Sequence, residues 1–276
     1  MSAQKRARPR SGNPATQARE AEARRAREER AAAQRVREAA AARRRRVGVV
    51  TGVVVAVLAV VAVVAVLVAR SGGTADGPTP TAATGPAGGF PLPGTPDPGA
   101  PRLDVWLDYQ CPFCARFDAA AGEELSRLAA DGDAEVVVHT LSFLDDHLGG
   151  DSSSRAAQGA AAAAEQGRFA EYTREVFERQ PEEEGAGYAG ADLEAAARDA
   201  GVEDLGRWRE AVRAGTYAGF VERVQEAMPA DVTSTPTVQL TPPGGQPRTL
   251  DPEELRSGSV TTFLREQVSA AKEAAR

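Results

Sequence analysis

The two cysteines of the chain, Cys111 and Cys114, form a C-x-x-C pattern, and no other cysteine is present. A strand-like run precedes them and a helical pattern follows, so Cys111 is expected at a helix N-terminus. Unpaired N–H groups and the helix dipole stabilise a thiolate there, which lowers the pKa of the thiol. Pro112 suits the first helical turn because it has no N–H to leave unpaired. The pattern predicts thiol–disulfide exchange, in which Cys111 attacks or is attacked and Cys114 resolves the mixed disulfide.

Three other roles compete with exchange for this pair. A zinc site normally needs four ligands, and the chain offers only His139 and His147 besides the two cysteines. A structural disulfide across two residues closes a very small loop and stabilises little. A buried reduced pair without a role is rare outside the cytosol. Exchange is therefore the favoured interpretation, with no metal and no cofactor.

The elements that must position the cysteines follow a strand–helix–strand order. The spacing of apolar residues predicts strands over 103–109 and 135–143, with a helix over 111–130 between them. The later elements are an Ala-rich helical region, a hairpin and a closing helix, over about 151–228, 237–240 with 248–250, and 252–272. This order predicts an α/β domain over 102–276.

The segment 47–69 contains no charged residue and is dominated by Val, Ala and Leu. As a helix it would be about 34 Å long, enough to cross a hydrocarbon core of about 30 Å. Four consecutive arginines precede it and only Arg70 follows directly, so the positive-inside rule places the N-terminus in the cytoplasm and the rest outside. A cleaved signal peptide is the alternative, but its apolar core would be shorter. The sequence predicts a retained single-pass anchor.

Two segments of biased composition flank this apolar run. Residues 1–46 hold 15 Lys or Arg against 5 Asp or Glu, whereas the remainder holds 18 against 34. The basic segment lacks aromatic residues for base stacking, so a cytoplasmic tail is favoured over nucleic-acid binding. Residues 70–101 are rich in Pro and Gly and almost free of large apolar side chains. They are predicted to be a flexible tether.

Three segments resemble DsbA-like proteins of the thioredoxin superfamily. They are 108–114 (DYQCPFC), 166–172 (QGRFAEY) and 232–238 (VTSTPTV). The resemblance implies a thioredoxin fold with a helical insertion over about 151–228. It also implies that Pro236 is cis and faces the cysteines, leaving the backbone of Thr235 free to pair with a substrate strand beside Cys111.

Two positions depart from that superfamily's pattern. Its members often carry a buried acid six residues before the first cysteine, and Val105 stands there in this chain. Asp104 and Asp108 point to the other face of the strand by alternation and are expected to be solvated or at an edge. Phe113 precedes the second cysteine where strongly oxidising relatives often have His. The missing positive charge is expected to stabilise the Cys111 thiolate less.

The remaining conspicuous side chains are assigned structural positions. His139 lies in a predicted strand and is expected to be structural, whereas His147 lies in an Asp-rich loop and is expected to be exposed. Trp106 and Trp208 are expected in the core.

The sequence and the resemblance together predict a membrane-tethered, extracytoplasmic thiol–disulfide oxidoreductase. It would form, isomerise or reduce disulfides in exported proteins, with oxidase or isomerase activity favoured over reductase activity. Its expected partners are cysteine-containing exported proteins and a redox partner that recycles the cysteine pair. The alternatives are a catalytically silent binding module and a carrier dedicated to one redox partner.

Overall fold

The structure is a computed structural model that describes residues 77–183 and 185–274. The predicted basic tail (1–46) and the predicted transmembrane helix (47–69) lie outside the described residues. Within the described part, no helix is both long enough and apolar enough to cross a bilayer.

A mixed sheet with the strand order β1-β3-β2-β4-β5 forms the centre of the fold. The strands are β1 (Phe90–Pro91), β2 (Arg102–Asp108), β3 (Glu135–Leu141), β4 (Thr237–Thr241) and β5 (Arg248–Thr249). β2 and β3 run parallel, and the other neighbouring strands are antiparallel. β2 and β3 are buried on both faces over most of their length, as is usual for parallel strands covered by helices.

Nine helices are present in the described part of the chain. They are α1 (Pro112–Ala130), α2 (Phe143–Leu148), α3 (Ser152–Ala164), α4 (Phe169–Glu178), α5 (Gly190–Asp199), α6 (Leu205–Ala214), α7 (Ala218–Glu226), α8 (Pro252–Leu255) and α9 (Val260–Ala274). α2 to α7 form an insertion between β3 and β4, while α1 packs against α9 and α7 packs against β3. The predicted α/β order is confirmed, and the helical insertion begins at Phe143, earlier than the predicted bound of about 151.

α3 lies at the centre of the insertion and explains its Ala-rich sequence. Eleven of its thirteen residues are buried, because α4, α6 and α7 all pack against it. A Cβ atom at Gly159 would lie only 2.1 Å from Tyr172 Oη, so this contact requires glycine. Trp208 Nε1 donates to the Gly159 carbonyl oxygen at 2.9 Å. Small side chains let the neighbouring helices approach closely.

Part of the predicted tether is instead a structural segment of the domain. Phe90 is 1% exposed and its ring stacks on Phe169 at a centroid distance of 4.4 Å. The backbone N–H of Leu92 donates to Val136 at 2.9 Å, and Phe90–Pro91 adds an edge strand to β3. The prediction of a free linker over 70–101 is therefore wrong from residue 77 onward. One buried aromatic ring and an antiparallel edge order a segment that its composition does not favour.

The predicted closing helix is divided in two. Asp251 accepts a hydrogen bond from the Glu253 N–H at 2.8 Å and begins α8, which ends at Leu255. Gly258 lies in the break before α9, and Ser257 and Ser259 bond to each other there at 3.0 Å. Side-chain hydrogen bonds of this kind compete with helical ones. The break turns Arg256 toward α1.

The expected burial of the tryptophans and of His139 and the expected exposure of His147 are confirmed, but His147 lies in α2 and not in the predicted loop. Trp106 and Trp208 are 2% and 3% exposed. His139 is buried and stacks on Trp106 at 3.9 Å, whereas His147 is on the surface.

Candidate functional site

The cysteine pair lies where β2 ends and α1 begins. Cys111 is the residue that precedes the first helical turn, and Pro112 occupies that turn. The backbone N–H of Cys114 donates to the Cys111 carbonyl oxygen at 3.0 Å. Both cysteines are free thiols, with Cys111 6% exposed and Cys114 fully buried. Only Cys111 can meet a substrate sulfur without rearrangement of the helix.

Strand pairing brings a second segment to the same place. β4 runs antiparallel to β2 and begins with Thr237 opposite Trp106. The residues just before β4 therefore lie beyond the end of β2, where α1 starts. The peptide bond between Thr235 and Pro236 is cis, as the resemblance implies. Cys111 Sγ donates to the Thr235 carbonyl oxygen at 3.4 Å.

The two thiols differ in acidity. A hydrogen bond from Cys114 is the largest effect on Cys111 and, with bonds from Thr235 and from the backbone at Phe113 and Cys114, lowers the pKa of Cys111 to about 6 against the effect of burial. Burial raises the pKa of Cys114 well above its ordinary value, and its bond to Cys111 adds to this. At neutral pH the arrangement is a thiolate beside a thiol. This pairs a nucleophile with a proton donor.

Thr235 presents a second polar group at the site. Its hydroxyl is buried and forms no hydrogen bond of normal geometry with the described residues while Cys111 is a neutral thiol, but it lies close enough to the cysteines to favour their ionised forms. The carbonyl oxygen of Thr235 loses its donor when Cys111 ionises, whereas the hydroxyl can then donate to the thiolate. An N–H or O–H that bonds the charged form favours that form.

Asp108 is fully buried, so the prediction of a solvated or edge residue is wrong. Its carboxylate accepts hydrogen bonds from Ser153 Oγ at 2.5 Å, from the Gln110 N–H at 2.9 Å and from the Leu144 N–H at 3.2 Å. Burial raises the pKa of Asp108 to about 7, although these bonds act in the opposite direction. Asp108 thus ties the turn before Cys111 to the helical insertion.

Asp104 shares that face of β2 and is also more enclosed than expected. It bonds to His139 Nε2 at 2.8 Å and pairs with Arg102 at 2.8 Å. Burial alone would raise the pKa of Asp104, but the hydrogen bonds from His139 and Arg102 bring it below its ordinary value. The alternation argument placed both aspartates on the correct face. It erred in assigning that face to solvent, since the helical insertion covers it.

Gln110 connects the cysteine turn to the start of α3. Its side-chain amide donates to Asp145 Oδ1 and to Ser153 Oγ, each at 2.9 Å. The Asp145 carboxylate also accepts from the backbone N–H groups of Ser153 and Ser154 at 2.8 Å, which caps α3 from a neighbouring helix. The helix cap and the turn therefore share one hydrogen-bond network.

The carbonyl oxygen of Tyr109 accepts two more hydrogen bonds from the insertion. Gln180 Nε2 donates at 2.7 Å and Tyr188 Oη at 2.8 Å. The Tyr109 hydroxyl bonds to Thr173 Oγ1 at 2.9 Å. The turn that carries Cys111 is thus held from several helices. No local sequence signal points to Gln180 or Tyr188, because both reach the turn through tertiary packing.

Phe113 lies on the outer rim and is 44% exposed. The Arg116 guanidinium carbon lies 4.4 Å from the centre of its ring, and that of Arg256 lies 5.0 Å away. On another side, Gln110 and Pro112 line a cavity of about 180 Å³ together with the loop around Pro181. The sequence singled out Phe113 but neither arginine.

The chain is similar to known proteins in sequence and in fold. A family model described as thioredoxin matches residues 96–242, which is more than half of the chain. The chain belongs to the thioredoxin family. The match spans β2, the cysteine pair, the insertion and β4. A comparison with curated proteins gives no significant match.

Solved structures are similar in fold to this thioredoxin-family chain. The MdbA protein from Actinomyces oris, a thiol–disulfide oxidoreductase, is 22% identical with a TM-score of 0.57, over 71% of this chain and 93% of that one. Reduced DsbA from Mycobacterium tuberculosis is 22% identical with a TM-score of 0.52, over 68% and 99%. Reduced DsbG from the same organism is 21% identical with a TM-score of 0.53, over 69% and 95%. At this identity the likeness establishes the fold, and the expected thioredoxin fold with a helical insertion is confirmed.

Proposed function

We propose that this thioredoxin-family protein is a thiol–disulfide oxidoreductase that acts through Cys111 and Cys114 on cysteines of exported proteins. The observation that carries the proposal is the placement of Cys111. Its sulfur is at a helix start, 3.4 Å from the Thr235 carbonyl oxygen, with a lowered pKa and a buried Cys114 behind it. The similarity to MdbA from Actinomyces oris, a thiol–disulfide oxidoreductase, supports the same reaction class.

In the oxidising direction the exchange starts from the Cys111–Cys114 disulfide. A substrate thiolate attacks Cys111 Sγ, the bond to Cys114 breaks, and Cys114 leaves as a thiolate that takes up a proton. A second substrate thiolate then attacks the substrate sulfur of the mixed disulfide, and Cys111 leaves as a thiolate. The substrate has lost two electrons and the cysteine pair has gained them. An oxidised partner disulfide must regenerate the pair by accepting those electrons.

The acidity of Cys111 favours oxidation or isomerisation over reduction. A thiol with a low pKa is a good leaving group, and a stabilised thiolate stabilises the reduced pair. Pro112 and Phe113 stand between the two cysteines and tune this balance, while Thr235 and Pro236 face the incoming substrate. An extended substrate segment would pair with the Thr235 backbone, in the manner of strand addition.

The protein works outside the cytoplasm while anchored through residues 47–69, with residues 1–46 in the cytoplasm. The support is the uncharged apolar run and the arginines that precede it. The test is protease digestion of intact spheroplasts followed by carbonate extraction. Protection of the N-terminal tail, cleavage of the C-terminal domain and retention in the membrane pellet are expected. Release of the protein from the membrane by carbonate would refute the transmembrane anchor.

The function is tested by the reduction potential of the full-length protein in a neutral detergent, equilibrated against glutathione. A value above about −200 mV identifies a disulfide donor or isomerase, and a value near about −270 mV identifies a reductant. In the Cys114→Ser variant, Cys111 is first converted to a mixed disulfide with glutathione by oxidised glutathione. A thiolate of the reduced unfolded substrate then attacks Cys111 Sγ, glutathione leaves as a thiolate, and the mixed disulfide with substrate is expected to accumulate. The Cys111→Ser variant is expected to form none. If the cysteine pair did not exchange with thiols or disulfides, the oxidoreductase proposal would be refuted and a thioredoxin-fold binding module would take its place.

A further inference from the structure

Three side chains form a cationic and aromatic patch beside the reactive thiol. Phe113 is the exposed large hydrophobic residue in the described part of the chain, and it lies two positions after Cys111. Arg116 follows one turn later on α1, while Arg256 arrives from the break between α8 and α9. Both guanidiniums lie within 5.0 Å of the Phe113 ring centre. Stacking on one ring holds the two positive charges near each other.

Apart from their contacts with the Phe113 ring, these two guanidiniums have no ion pair with the described residues. Among the described residues neither Arg116 nor Arg256 has a carboxylate partner. Most other arginines in the described part of the chain pair with a carboxylate, and Arg127 contacts both Glu123 and Glu124. Residues 47–276 contain 34 acidic against 18 basic residues, so partners are plentiful. Two exposed arginines left unpaired at the active-site rim need another explanation.

Stabilisation of the thiolate does not supply that explanation. The main causes of the lowered pKa of Cys111 are hydrogen bonds from Cys114, from Thr235 and from the backbone. Neither Arg116 nor Arg256 is among them. Both arginines are exposed, so their charges are accessible to a substrate that approaches Cys111.

We propose that Phe113, Arg116 and Arg256 form a docking patch for an acidic segment that flanks the reacting cysteine of the substrate. The ring contacts the apolar part of that segment, and the two guanidinium forks bind its carboxylates. The proposal rests on the proposed function and names the substrate class of that site. The acidic body repels such a segment at long range, but screening limits this to about 8 Å in physiological salt. At shorter range, contact with the two arginines then favours substrates whose reacting cysteine is flanked by acidic residues.

The test compares three dithiol peptides that differ only in the residues beside their cysteines, which are Glu, Gln or Lys. Each is oxidised by the full-length protein in a neutral detergent, and peptide disulfide formation is followed by acid quench, alkylation and mass spectrometry. Each rate is divided by the rate of the same peptide with 2-hydroxyethyl disulfide, which corrects for the effect of the flanking charge on the peptide thiols. The Glu peptide is expected to exceed the Gln peptide about fivefold at low salt and less at high salt.

The variants assign that preference to the patch. The double variant Arg116→Gln, Arg256→Gln is expected to bring the Glu-to-Gln ratio to about one. Arg207→Gln is the matched control, because Arg207 is exposed on α6 and also lacks a carboxylate partner among the described residues, and it should leave the ratio unchanged. A ratio near one in the wild type, a preference for the Lys peptide, or a preference that survives the double variant would overturn the patch alone. Failure of all three peptides to react would overturn the proposed function as well.

Discussion

The thiol of Cys111 lies 3.4 Å from the carbonyl oxygen of Thr235, although 124 residues separate them in the chain. The antiparallel pairing of β4 with β2 creates this contact, because it places the start of one strand beyond the end of the other. The same approach brings the buried Thr235 hydroxyl to the site, where it favours the Cys111 thiolate. Thr235 thus offers an acceptor to the thiol and a donor to the thiolate.

The Thr235→Val variant should raise the pKa of Cys111 from about 6. Valine keeps the shape but removes the hydroxyl that bonds the thiolate, and we expect an upward shift of about one unit. The measurement is the pH dependence of Cys111 alkylation by iodoacetamide in the reduced protein. Thr237→Val is the matched control, since the Thr237 hydroxyl donates to the Ser234 carbonyl oxygen at 2.6 Å instead. Identical titration midpoints for Thr235→Val and wild type would contradict a role for this hydroxyl.

The Asp108→Asn variant should alter how stability depends on pH. The pKa of Asp108 is about 7 in the folded protein, against an ordinary value of 3.8, so the folded state holds an extra proton between these values. The stability that Asp108 contributes is therefore complete below about pH 4 and is lost as pH rises through 7. As the pH rises from about 4 through 7, the free energy of unfolding of Asp108→Asn should therefore increase relative to that of wild type. The increase is at most about 4 kcal/mol, which is the difference between the two pKa values multiplied by about 1.4 kcal/mol per pKa unit.

Urea unfolding of the oxidised full-length proteins at several pH values measures this difference. Oxidation removes the titration of Cys111, and the carboxyls shared by both proteins cancel, including Asp118 and Asp145, whose pKa values burial also raises. A difference that stays constant with pH would mean that Asp108 remains ionised when folded.

Phe90→Ala should destabilise the protein by about 3–5 kcal/mol, since it removes a buried ring. Phe113→Ala makes the same chemical change at an exposed site. Apart from the loss of its contacts with arginine, it should lower the free energy of unfolding by well under 1 kcal/mol. Urea unfolding of both variants provides the comparison. If both substitutions had equally small effects, the segment around Phe90 would be a free tether, as composition alone predicts.

Tyr188→Phe should cost about 1 kcal/mol, because it removes a donor to the Tyr109 carbonyl oxygen. Tyr172→Phe should cost nothing or stabilise slightly, since the Tyr172 hydroxyl is buried and has no hydrogen-bond partner among the described residues. Both changes delete one hydroxyl from a buried ring, so thermal unfolding of the pair isolates the hydrogen bond. Equal effects would show that Tyr188 does not hold the turn.

The sequence alone determined the local features of this protein. Strands and helices were predicted from periodicity, and β2, β3 and β4 begin and end within two residues of their predicted limits. The C-x-x-C pair at a strand–helix junction and the Thr235–Pro236 segment were found as motifs. These signals are readable because neighbours in the chain set the periodicity and the helix start.

Only the tertiary structure decided what surrounds those motifs. It buries Asp108 under the insertion, adds Phe90 to the sheet and brings Arg256 to Phe113 from the far end of the chain. None of these contacts has a local signal, because each joins segments that are distant in sequence and depends on which faces the helices cover. The reacting atoms and the direction of the Cys111 pKa shift were thus evident from the residues, because Cys114 and the backbone at the helix start cause much of that shift. The contribution of Thr235 and the charge of the rim follow from the packing around Cys111.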